Sequence, residues 1–299
     1  MRSTVAAWLT VLAILGSATV SVAQTTGPKS PPDVVVVGRR DHQEAAHRFV
    51  NEITVETQDQ VAQFGEPVCP LAIGLPAAYN AAIERRVRED GRAAGVRVAA
   101  ARCEPNVIIM ISDDGRQLLD RLHRDRGPLF EALPLHDLHA LLNAPGPVRA
   151  WQGVELLDSG GAPIGVCDPQ NAGCAPPVAK GYMPSRLQQA FSRRIDTAFV
   201  VIDVNAIDGM TTVQIADYAA MRTLAITRDP KGASMAQDSI LTLFDPTQAS
   251  VKPASLSRSD AAYLHALYAT SSIVSGATQR SNMAQSINRT LSSSPSSDK

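Results

Sequence analysis

The chain has 299 residues, with 28 basic against 29 acidic side chains and 44% hydrophobic residues. A net charge of −1 gives no electrostatic argument for nucleic acid or for an acidic partner. Such a length and apolar content suit a globular domain with a sizeable core.

Residues 1–23 read as a signal peptide. Arg2 supplies a short basic region, Val5 to Val20 an apolar run, and Ser21-Val22-Ala23 a small-residue cleavage site. The mature chain would then begin at Gln24. The alternative is an uncleaved N-terminal anchor. No later apolar run approaches the length of a membrane span. The expected location is therefore periplasmic or secreted. Residues 24–32 form a polar linker.

A single α+β domain is expected over 33–275, a mixed sheet packed with helices. Val34 to Val37 read as a short strand, and His42 to Val55 as a helix running into an extended end. Ala77 to Gly95 is an amphipathic helix with Ile83, Val87 and Ala94 inward and Gly95 as its stop. A short extended run follows at Val96 to Ala101. Val107-Ile-Ile-Met-Ile is a fully apolar strand, expected in the centre of a sheet. Asp113-Asp114-Gly115 closes it and caps the next helix.

In Leu135–Leu142, His136 and His139 lie one helical turn apart, so they could share a metal; a solvated face is the simpler reading. Val148 to Leu156 alternates as a strand. It puts Arg149 and Trp151 on one face, as a recognition surface or an ordinary cross-strand pair. Asp158 to Pro184 is a long loop rich in Gly and Pro, and Ser185 to Ser192 reads as a short helix. Thr197 to Val204 is a second buried strand.

Thr211 with Gln214 forms a capping-box signature for a helix over Val213–Ala225. Val213, Ala216, Ala220 and Leu224 share one face, with Ile215 and Ala219 beside them. This is the pattern of a helix buried in the middle of a domain. Asp217 and Arg222 are the polar exceptions and are expected at its rim. Ser257 or Ser259 caps a last helix, Asp260 to Ile273. Residues 276–299 are Ser-rich and expected to be disordered.

All four cysteines lie beyond the leader, which suggests disulfides in an exported chain. Of the three possible connectivities, Cys69–Cys103 with Cys167–Cys174 is favoured, because the second pair closes the short turn-rich loop CDPQNAGC. A metal site is the alternative, at spacings that fit zinc poorly. There is no nucleophile elbow, P-loop or dinucleotide fingerprint, and no motif surrounds any of the six histidines. No cofactor is implied.

From Thr197 to Ala269 the chain resembles the end of a matrixin-like zincin metallopeptidase domain. The likeness rests on a strand, an active-site-type helix, a Ser239-Ile-Leu-Thr-Leu-Phe segment, and a helix bearing Ser257, Asp260, Leu264, Leu267 and Tyr268. The whole chain also resembles a family of exported bacterial proteins, through Cys103–Asn106, Gly146–Trp151 and Ala216–Arg222. A zincin helix grips zinc with two histidines four residues apart, and a glutamate beside the first polarises the bound water. Here Ala216 and Ala220 stand at the ligand positions, and only Asp217 keeps an acid.

The resemblance therefore implies a degenerate fold that binds an envelope ligand or protein without catalysis. One alternative is a hydrolase with a candidate polar site of Asp217, Tyr218 and Arg222. Another is a metal-binding module through His136 and His139.

Overall fold

The computed structural model describes residues 39–158, 160–164, 189–232, 234–248 and 252–293. Among these are seven α-helices and a five-stranded mixed sheet. The leader, the linker, the Val34–Val37 strand and the Cys167–Cys174 pairing lie outside the described residues.

The chain opens with α1 (Arg39–Ile53), a short strand β1 (Gln63–Phe64) and β2 (Pro70–Ile73). Helix α2 (Ala77–Ala93) then crosses to β3 (Val107–Ser112), which pairs in parallel with β2. The disulfide Cys69–Cys103 ties the start of β2 to the turn before β3, as expected. Helices α3 (Gly115–Asp125) and α4 (Leu135–Leu142) lead to β4 (Val148–Asp158).

Strand β5 (Phe191–Asp203) is the spine of the sheet. One edge carries β4 antiparallel along its whole length. The other carries β1 at Arg194–Ile195 and β3 at Ala198–Asp203, both parallel. β5 starts earlier than the sequence suggests, since Phe191 and Ser192 are strand rather than the end of a helix. The long antiparallel pairing with β4 overrides the local helical pattern. The extended run at Val96–Ala101 is reduced to one bridge, Val68 with Val98.

Alternation sorts the strand residues onto two faces. Val107, Ile109, Ile111, Ala198, Val200 and Ile202 join the larger core with α1, α2, α5 (Thr212–Thr223), α6 (Arg258–Ala269) and α7 (Gly276–Ser293). Met110, Phe199, Val201 and Trp151 face the other way, under α3 and α4. Both predicted caps form. Thr211 and Gln214 bond reciprocally at α5, and Ser257 and Asp260 do so at α6.

Helix α7 corrects the expectation of a disordered tail. Gln279, Met283, Ala284 and Ile287 are fully buried. Gln279 Oε1 accepts from Val61 N at 2.7 Å, and its Nε2 donates to Val61 O at 3.1 Å. These bonds satisfy the main chain beside β1 as a neighbouring strand would. Helical spacing gathers a few apolar side chains from a Ser-rich stretch onto one line against α1 and α6.

Candidate functional site

The three polar residues expected on α5 do not converge. Asp217 is completely buried and belongs to a lock between α5 and α2. Arg86 Nε and Nη2 donate to its two oxygens at 2.6 and 3.1 Å, and Leu256 N donates to Oδ2 at 2.6 Å. Asp90 shares the same guanidinium at 3.3 Å, and its Oδ2 is buried without a hydrogen-bond partner. Burial, reinforced by the Asp217 charge and opposed by Arg86, pushes the Asp90 carboxyl up to about 7. Ala216 and Ala220 are also sealed in the core. The expected rim position is therefore wrong for Asp217, and no cleft opens at the three residues that would correspond to a zincin site.

Tyr218 and Arg222 form a separate unit. Arg222 Nε donates to Tyr218 Oη at 2.9 Å, Nη1 to Thr227 O at 2.8 Å, and Nη2 to Asp229. Burial works against the Arg222 cation, but Tyr218 and Asp229 more than offset it and hold its pKa above the ordinary value. Burial raises the Tyr218 phenol.

Arg149 and Trp151 do share a face, and both are buried there. Trp151 is 2% exposed, stacked between Phe130 and Phe199, and its indole N–H donates to Leu129 O. The Arg149 side chain is 4% exposed, with Nη1 3.8 Å from Asp203 Oδ2. Asp203 also accepts from Gly115 N at 2.6 Å, and a Cβ at Gly115 would fall 2.5 Å from its Oδ1. A larger residue at Gly115 would have to displace the Asp203 carboxylate where the start of α3 meets the end of β5. The covering layer of α3, α4 and the turn at Gly127–Phe130 explains the burial. Asp114 is the cap of α3, accepting from Gln117 N at 2.8 Å, as expected.

His136 is 82% exposed and bonded to Asp137, and His139 is exposed on the same helix. Among the described residues, no group of three or more His, Cys, Asp or Glu side chains is placed to hold a metal ion. No described helix is long and apolar enough to cross a membrane.

Among the described residues, a groove of about 1570 Å³ runs along the outer edge of β4. Its floor runs from Val148 to Leu156. One wall comes from Leu133, Asp137 and Leu141, and the other from Gln58, Arg222 and Asp229. α5 reaches the groove through Arg222, whose carbonyl also accepts from Gln152 Nε2.

The backbone polarity of this edge follows from the register. Asp203 N donates to Pro147 O, so the pairs Arg149–Val201 and Trp151–Phe199 exchange bonds with β5. The N–H and C=O groups of Val148, Ala150 and Gln152 therefore point away from the sheet. The irregularity at Gly153/Val154 places the extra residue on β5, so Val154 and Leu156 point outward as well. At the far end the edge is occupied: Ile164 N donates to Leu156 O, and Asp158 N to Ala162 O. Among the described residues nothing pairs with the outward groups of Val148, Ala150, Gln152 and Val154. The sequence places β4 correctly, but it carries no sign that β4 would be an edge.

No protein-family model, curated protein or solved structure matches this chain.

Proposed function

We propose that this chain is a non-catalytic binding domain of the cell envelope that takes an extended polypeptide segment onto the outer edge of β4. The observation that carries this reading is the run of outward N–H and C=O groups on the floor of the groove. A segment of about seven residues, at about 3.3 Å each, would satisfy them by strand addition.

The recess decides what kind of occupant fits. The edge strand of a folded domain is flanked by its own layers and could not reach the floor. A single extended strand can. The Cys69–Cys103 disulfide and the leader pattern support an oxidising, extracytoplasmic location.

The zincin likeness enters as ancestry only. β5 feeding α5 beside an antiparallel edge strand supports it, and the burial of Ala216, Asp217 and Ala220 supports a non-catalytic role for that helix.

Ala150→Pro tests the reading. The Ala150 N–H bonds nothing in the sheet, so proline removes only an outward donor and obstructs the edge. The expected result is an unchanged circular dichroism spectrum with binding of a short extended peptide lost. In the unaltered protein, peptide should slow amide exchange at Ala150, Gln152 and Val154. Peptide binding with no protection of those amides would overturn the proposal.

A further inference from the structure

The two walls of the groove differ in charge once internal pairs are removed. On the wall shared with α5, Asp229 is taken by Arg222 and Glu56 by Arg280, and Glu155, on the other face of β4, is taken by Arg194. That leaves Arg193, whose recorded bond is to the uncharged Gln58 side chain, and Arg228, held on the carbonyls of Asn51 and Glu52. Burial alone pushes the Arg193 guanidinium below its ordinary value, with no carboxylate offsetting the cost. The opposite side carries exposed Glu131 and Asp137, with His136 beside Asp137, and the buried Arg149 there is paired with Asp203. One wall is left cationic and the other anionic.

An added strand sends alternate side chains to opposite faces. Residues opposite Val148, Ala150, Gln152 and Val154 would face the arginine wall. Those between would face Glu131, Asp137 and the apolar Leu133 and Leu141. We infer that the partner segment is of alternating character, with acidic side chains at every second residue and basic or apolar side chains between them. This inference rests on the strand-addition reading above.

A one-residue slip exchanges the two faces of a strand, so shifting an alternating peptide cannot serve as a control. The discriminating comparison is between two labelled peptides of identical composition, titrated into the full mature chain. One alternates glutamate with lysine or valine. The other groups its glutamates at one end, so that either register puts acids on both walls.

The alternating peptide is expected to bind about five- to tenfold tighter, the summed effect of a few solvent-exposed charge pairs. The advantage should shrink with added salt. It should also shrink in the Arg193→Gln/Arg228→Gln double variant, with its circular dichroism unchanged. Equal affinity for both peptides, with β4 amides still protected, overturns the charge pattern and leaves strand addition standing. No binding of either peptide overturns both.

Discussion

Asp217 and Arg222 lie on the same helix and meet opposite fates. Asp217 points into the contact between α5 and α2 and is satisfied there by Arg86 and the Leu256 amide. Arg222 sits one turn further on, where α5 leaves the sheet, and its contacts with Thr227 and Asp229 build a groove wall. Both are buried and paired, so neither burial nor pairing separates structure from function. The difference is what lies beyond each residue: a second helix for Asp217, an unpaired strand edge for Arg222.

The largest expected effect comes from breaking the sealed side. Asp217→Ala leaves the Arg86 cation to Asp90 and Glu89 and leaves the Leu256 N–H without its acceptor. Stranding a buried donor costs about 1–3 kcal/mol, so urea unfolding should show a loss of that order. The folded fraction should bind peptide as before. A loss of binding without a loss of stability would place Asp217 at the site instead.

The same lock sets a pH dependence. Asp90 faces Arg86 and Glu89 on its own helix and Asp217 from α5, and its carboxyl is raised to about 7 in the folded state. The folded chain therefore holds a proton there that the unfolded chain releases at the ordinary carboxylate value. The resulting stabilisation is complete below that ordinary value and is lost as pH rises through about 7. Denaturation midpoints should fall across that window and flatten in Asp90→Asn. Peptide affinity, set on the far side of α5, should not follow the same curve. If the two curves coincide, the lock and the groove are coupled.

Local signals account for what could be read from the sequence. The caps at Thr211 and Ser257, the apolar run of β3, the amphipathic α2 and the alternation of β4 each depend on residues close together in the chain. The Cys69–Cys103 pair is also legible, because four cysteines offer only three connectivities. The groove depends on which strand ends up outermost. That is a property of the β3–β5–β4 order, and nothing within Val148–Leu156 encodes it. For Arg149 and Trp151 alternation gives a shared face, and only the packing of α3 and α4 says whether that face is covered. α7 is not legible because its apolar side chains are few in a Ser-rich stretch, and its decisive hydrogen bonds come from a buried glutamine serving the backbone of another segment.

The smallest expected effect concerns the two histidines of α4, of which His136 lines the groove. His139 uses its carbonyl to accept from Asn143, which alanine preserves, and its imidazole is solvated. His139→Ala should change stability by no more than about 0.5 kcal/mol and leave peptide affinity unaltered. His136→Ala is more informative, because His136 is bonded to Asp137. Removing the imidazole uncovers the Asp137 carboxylate, so the alternating peptide should gain slightly over the grouped one. A loss of affinity would instead make the imidazole itself a contact, and the wall opposite Arg193 would then be recognised by ring packing rather than by charge.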